Sequence, residues 1–575
     1  MRDEALTNGF RTGPCNVLAM TRRSARRIFR ERPDSHTMSL KTRSIRRRPA
    51  AEQQQEPVTD ATTESLTRLA AEQQRQFDAT TPPRTRREHG HFGTAPAIAD
   101  FMAGMFSRLP NGPVRILDPG AGVGTLSAAV CQKVLLQQIP RSLEFELWEN
   151  DPRLEDHLRA TLAACREALL NAGHEMAFTI QTDDFVLGHA ESSLFGATAS
   201  ASFDCVIMNP PYFKVRKDAE VARKMAHVVH GQPNIYAFFL AVAADRLRVG
   251  GELVAITPRS YFNGPYFKRF RKWFFDRMTT RQIHLFESRS DAFQEDKVLQ
   301  ENVILLAEKR GQPNDVLLTS STGRNLQQVA RHILPCTRVI EDSSGDHLVR
   351  VATNRLEQQV LEAVDSLPLR FRDLPFQIST GPVVTFRSEE FLRRERAHDT
   401  APLLWMHNVR PFVVQFPPQA GKPAHILVSD ESKRLLVPAR RYVLLKRFTA
   451  KEERRRLVAG VVEAQDSYAP FLGLENHLNY VCRPGEELSR EESLGLAALF
   501  NSVLIDRYFR AISGNTQVNA AEVRALPMPP VETIRKIGLA VGGCTEKTCT
   551  TVEQLIGDVL GVARTLVSDL CEAFL

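Results

Sequence analysis

A short apolar run halted by two prolines constrains this chain more than any other stretch. Phe203-Asp204-Cys205-Val206-Ile207-Met208 has strand length and a β-branched pair at its centre, and Asn209-Pro210-Pro211-Tyr212 follows at once. Apolar residues without alternation mark a strand buried on both faces, as in a parallel sheet covered by helices. The prolines stop the strand, so Asn209 and Tyr212 are predicted on a loop at its C-terminal end. Open α/β sheets place their ligands along that edge.

Three earlier segments follow the same plan. Val114-Arg115-Ile116-Leu117 reads as a strand running into Asp118-Pro119-Gly120-Ala121-Gly122-Val123-Gly124-Thr125 and an Ala-rich helix. Glycines at such a turn let a ligand approach the backbone. The spacing also suits a dinucleotide, although Asp118 is less typical of that fingerprint. The next strand, Phe145-Glu146-Leu147-Trp148, ends at Glu149, 25 residues beyond Gly124. There a carboxylate can grip ribose hydroxyls, or be an ordinary surface acid. Ala177-Phe178-Thr179-Ile180 then leads to Asp183-Asp184-Phe185, an acid and an aromatic suited to the amine and the face of an adenine ring. Upstream, Thr94 is placed as N-cap of a helix whose apolar face is Ile98, Phe101, Met102 and Met105.

The residue types at the fourth strand end have a chemical reason. An aromatic exocyclic amine is a poor nucleophile because its lone pair is delocalised into the ring. The Asn209 side-chain oxygen and the Pro210 carbonyl can each accept one amine hydrogen, favouring the geometry that frees the pair. Tyr212 would stack on the base, and Pro210-Pro211 would keep the acceptors from swinging away. With a methylsulfonium opposite, catalysis becomes positioning plus electrostatics. The same four residues also fit a plain strand-ending turn.

A glycine loop, a ribose acid, an adenine acid and then Asn-Pro-Pro-Tyr, in that order, resemble the class I S-adenosylmethionine-dependent methyltransferases. More narrowly they resemble the γ-type adenine-N6 DNA methyltransferases, the TaqI-like methylases of restriction–modification systems. The likeness covers roughly 90–310 strongly and 370–530 more loosely. It implies that Thr94 meets the methionine carboxylate, with Asp118, Gly120 and Gly122 on the methionine side. It further implies Glu149 on the ribose, Asp184 and Phe185 at the adenine, and Phe293 packed on an extruded base opposite Tyr212. Gly93-Thr94-Ala95-Pro96 departs from the family's usual Phe-Thr-Pro order.

The expected fold is therefore α/β: a Rossmann-like, doubly wound, mostly parallel methyltransferase sheet with a C-terminal α+β target-recognition domain. Predicted boundaries are a disordered basic arm over 1–85, a methyltransferase domain over 86–310, a connector over 311–368, the recognition domain over 369–530 and a helical segment over 531–575. The connector includes a short strand from Asp315 to Leu318, and Ser489 to Ile512 reads as one long helix. Residues 1–50 carry 13 Lys+Arg against 4 Asp+Glu, so the arm's +9 leaves the remaining chain at −1 although the total is +8. An arm of this kind can hold phosphates without reading sequence, or reflect a true start at Met38. Order is expected from about His91.

Lys433 to Arg456 holds ten Lys+Arg and two acids. Arg440, Arg441, Lys446 and Arg447 are its candidate phosphate contacts, against a plain solvated face. The nine cysteines follow no zinc or disulfide spacing, no metal is expected, and no run is long enough to span a membrane. A cytoplasmic monomer is expected, with S-adenosylmethionine as cofactor and double-stranded DNA as partner; a separately encoded restriction endonuclease is left open. The implied activity is adenine-N6 methylation of a flipped base. Its rivals are a protein-glutamine or RNA N-methyltransferase and a non-catalytic DNA-binding subunit.

Overall fold

The four predicted strand ends lie along one edge of one sheet. In the computed structural model, β1 (Pro113–Pro119), β2 (Ser142–Trp148), β3 (Glu175–Gln181), β4 (Phe203–Met208) and β5 (Leu247–Pro258) run parallel in the order β3-β2-β1-β4-β5. The register sets Pro119 opposite Trp148 and Trp148 opposite Gln181, so the residues that follow these strands emerge side by side. Beyond β5 come β6 (Met278–Phe286) and β7 (Asn302–Lys309), with β7 inserted antiparallel between β5 and β6. This is the doubly wound, mostly parallel sheet the resemblance implies. Described residues are 65–574 except 83–84, 86–92, 108, 111, 138–140, 195–202, 230–233, 287–301, 323–325, 343–344, 419–420, 450–452 and 514–516. Met38, the arginine clusters of the arm and Phe293 lie outside them.

Continuous burial accounts for the strand pattern: Cys205, Val206, Ile207 and Met208 are all essentially inaccessible. Helices α1 (Leu66–Thr80), α2 (Pro96–Met105), α3 (Thr125–Leu135), α4 (Glu155–Asn171), α5 (Phe185–Leu194) and α6 (Ile235–Arg246) belong to this domain. Every residue of α6 from Ile235 to Ala244 is buried, which is why that helix is apolar all round.

The structure departs from the sequence expectations in four places. Residues 66–80, assigned to the disordered arm, form α1, so order begins well before His91. Its stripe of Leu66, Thr67, Ala70 and Phe77 is buried, but it is sparse and set among glutamines. Thr94 does not cap α2: Ala95 occupies the N-cap, Pro96 takes the first helical position, and no side chain caps the helix. The connector also carries two long strands. β8 (Asp315–Thr322) pairs parallel with β6, and β9 (Gln327–Pro335) pairs antiparallel with β8, extending the sheet to nine strands. Finally, the predicted 489–512 helix is two helices, Arg490–Asn501 and Val503–Ile512. Between them Ser502 is extended (ψ 148°) and its hydroxyl caps Ile505 N.

The C-terminal half carries a six-stranded and a five-stranded sheet built from strands between Leu392 or Gln377 and Cys482, followed by helices to Glu572. At the start of helix Ala520–Ala525, Glu522 Oε2 reaches back to accept from Asn519 N (3.0 Å). Arg259, just past β5, donates to the carbonyls of Arg510 (3.0 Å) and Ala511 (3.0 Å) at the end of helix Val503–Ile512. A cation there satisfies carbonyls that the helix cannot. The tie joins the end of β5 to the C-terminal half.

Candidate functional site

A cavity of about 250 Å³ opens at the C-terminal ends of β1 to β4. The glycine loop forms its floor. Gly120 N and Ala121 N both donate to Trp148 O (2.8 and 3.0 Å), folding the loop back over β2. Gly120 has φ +76°, where a side chain is strained. Gly124 is also left-handed (φ +86°), and an added Cβ there would press on Leu158 Cδ1 of α4 at 2.9 Å.

Glu149 lines the cavity with its carboxylate held at both oxygens. Oε2 accepts from Gly122 N (2.9 Å) and Oε1 from Asp151 N (2.9 Å). Burial pushes its pKa up, while these two backbone bonds pull the other way. Asp184 and Phe185 line the next part of the wall. Asp184 Oδ1 accepts from Val186 N and Leu187 N (2.9 and 2.8 Å), capping α5. The Phe185 ring packs against Trp148 and Phe239, with centroids 5.6 and 5.1 Å away.

Asp118 differs from the expectation that it lines the cavity. It lies fully buried beneath the loop, where Ser127 Oγ donates to its Oδ2 (2.7 Å). Its Oδ1 is buried with no hydrogen-bond partner among the described residues. Burial first, and then the nearby Glu149 charge, push its pKa to about 7.

At the fourth strand end Asn209 and Pro211 line the cavity. Asn209 Nδ2 donates to Thr94 Oγ1 (3.1 Å), and the single Tyr212 hydroxyl hydrogen is shared between Asn209 Oδ1 (2.6 Å) and Ile256 O (3.0 Å). Thr94 therefore holds the Asn209 amide instead of capping a helix. Tyr212 is buried, with its ring edge-on to Tyr236 at 6.4 Å, and burial raises its pKa. Its neighbour Phe213 is 40% exposed and lines the cavity. Pro210 is buried behind the wall.

The basic cluster is not the common surface its sequence suggests. Arg441 pairs with Glu463 (2.7 Å) and donates to Leu488 O (2.6 Å). Arg447 donates to Asn476 O (3.0 Å) and Gln517 Oε1 (3.1 Å). Both are engaged within the protein because strand Tyr442–Lys446 lies inside the six-stranded sheet and carries its flanking residues inward. Arg440 is exposed and Lys446 half-buried.

Sequence reasoning missed Gln74, Phe77, Trp148, Asp183, Phe213 and Phe239, all on the cavity wall. Trp148 beside Glu149 repeats the acid–aromatic pairing of Asp184 and Phe185, a signal available in the sequence. No metal-holding group of His, Cys, Asp or Glu occurs among the described residues. No helix among them is long and apolar enough to cross a membrane.

The donor set fits S-adenosylmethionine. Glu149 offers an oriented carboxylate for a diol, and Asp184 with Phe185 a carboxylate beside an aromatic face for adenine. Comparison with known proteins agrees with the geometry. Residues 146–293 match the family described as Eco57I restriction-modification methylase. Type II methyltransferase M.BsuBI of Bacillus subtilis is 33% identical over 459 residues, 79% of this chain and 90% of its own length. Type II methyltransferase M.PstI of Providencia stuartii is 34% identical over 485 residues, 84% and 95% of the two chains. The solved type IIG restriction endonuclease BpuSI aligns over 83% of this chain and 64% of its own, at 14% identity and TM-score 0.37. With two such relatives matched over nearly their whole lengths, the chain belongs to the Type II methyltransferases of restriction–modification systems.

Proposed function

We propose that the chain methylates N6 of an adenine in double-stranded DNA, using S-adenosylmethionine, as the modification component of a restriction–modification system. The observation that carries this reading is Asn209, held at both ends of its amide on the wall of the cavity. When bound, the cofactor supplies a methyl group on a cationic sulfur. Glu149 would take the ribose hydroxyls, Asp184 and Phe185 the adenine, and Thr94 the methionine end.

The target amine must then give up conjugation with its ring. A carboxamide oxygen has two lone pairs, so Asn209 Oδ1 can keep the Tyr212 hydroxyl and still accept an amine hydrogen. The Pro210 carbonyl takes the second. Because Thr94 and Tyr212 already orient the amide, these acceptors need no reorganisation as charge develops. Extruding the base costs about a few kcal/mol, which Phe293 would offset by packing on one face. Arg440 and Lys446 are the members of the basic cluster left for phosphates.

The test is incubation of the purified protein with methyl-labelled cofactor and varied duplexes, followed by nucleoside analysis. Label in 6-methyladenine is expected. Label in methylcytosine, in RNA, or in a protein glutamine would overturn the assignment.

A further inference from the structure

Helix α1 precedes every motif of the site, yet Gln74 and Phe77 lie on the cavity wall with Gly93 and Thr94. The helix is fastened at several points to the domain that carries the site. Leu66 N donates to Gln132 Oε1 on α3 (3.0 Å), Thr67 Oγ1 to Asp100 Oδ2 on α2 (3.3 Å), and Gln73 Oε1 meets His157 Nδ1 on α4 (2.7 Å). Phe77 is 1% exposed and forms a small cluster with Val123 of the glycine loop and Leu154. The helix is thus positioned by residues on both sides of the loop.

Gln74 is the polar residue on this wall. Its Nε2 donates to Asp78 Oδ1 (3.0 Å), which sets the direction of the amide. The amide stands beside the chain just before Thr94. A Cβ added at Gly93 would lie 3.0 Å from Gln74 Cδ and 3.2 Å from its Oε1. Any side chain at 93 would press the amide off that surface, so glycine there leaves room for Gln74 beside the residue that holds Asn209.

A glutamine so placed offers an acceptor oxygen and a second N–H donor at the Thr94 end of the cavity. That pair is complementary to a zwitterionic α-amino acid group, with its ammonium and its carboxylate. We infer that Gln74 binds the amino-acid end of S-adenosylmethionine, making α1 a cofactor-binding element outside the recognised motifs. This rests on the cofactor reading above.

The test compares two probes by titration calorimetry on the full chain. S-adenosylhomocysteine carries the amino acid group and 5′-methylthioadenosine lacks it. Gln74→Ala is expected to weaken S-adenosylhomocysteine by about tenfold, as for one hydrogen bond to a charged group, and to leave methylthioadenosine within about twofold. Gln74→Leu, which keeps the bulk against Gly93, should behave the same way if the polar amide matters. Equal weakening of both probes would mean that α1 only shapes the wall, and would overturn the assignment. No change in either would also overturn it. Wild-type protein that binds neither probe would instead remove the cofactor reading, and the inference with it.

Discussion

Replacing Tyr212 by phenylalanine removes one hydroxyl from beside the site and keeps the ring. That hydroxyl reaches Asn209 Oδ1 at 2.6 Å and Ile256 O at 3.0 Å, while Thr94 holds the other end of the Asn209 amide at 3.1 Å. Net worth of such a bond is about 0.5–1.5 kcal/mol, so folding stability should fall by roughly 1 kcal/mol. Losing one of the two restraints on Asn209 should cost a similar amount in the transition state, about a fivefold slower transfer. Cofactor affinity should be unchanged, because Tyr212 is not on the cavity wall. Single-turnover transfer from labelled cofactor, with calorimetry for binding, measures both. A wild-type rate would refute the orienting role of the hydroxyl. A loss as large as that from removing Asn209 itself would also refute it, since the hydroxyl would then act directly.

Other consequences are open to direct measurement. Glu149→Ala should weaken cofactor binding by roughly 1.5–3 kcal/mol for the lost charged hydrogen bond, read by calorimetry, while DNA affinity survives. Asp118 holds its proton up to about pH 7 in the folded state, against about 4 when unfolded. The folded state therefore binds more protons in that window, and stability from this group falls as pH rises from about 4 to about 7. Melting of Asp118→Asn against wild type across that range should show the variant gaining on wild type as pH rises, then a constant gap above it. Replacing Arg440 and Lys446 should weaken binding to all duplexes alike and flatten its salt dependence, as read by titration at several salt concentrations; a changed methylation sequence would instead show that they read bases.

The part of the site legible in the sequence is the part built from single strands and their ends. β4 is buried on both faces, so it had to be apolar throughout, and its stop had to be abrupt. Asn209 and Glu149 follow β4 and β2 at once, and Asp184 stands three residues beyond β3. What could not be read depends on distant partners. Arg441 looked free for phosphate until the fold brought Glu463 beside it, and Arg447 until Gln517 arrived from 70 residues away. Ser502 breaks a helix where apolar periodicity continues, because its hydroxyl caps Ile505 N and Glu553 receives Val503 N and Leu504 N. Helix α1 was missed because its buried face has few large apolar residues: its partners, Gln132 and His157, are polar.

The most direct measurement is single-turnover formation of 6-methyladenine by Asn209→Ala beside wild type, with cofactor and DNA affinities measured on the same preparations. Asn209 supplies an acceptor that matters most as the amine leaves conjugation, so its loss should fall on turnover and not on binding. Affinities within about tenfold and a transfer rate lower by about two to three orders of magnitude are expected. Methyl transfer at the wild-type rate would show that Asn209-Pro210-Pro211-Tyr212 is only a turn at the end of a strand.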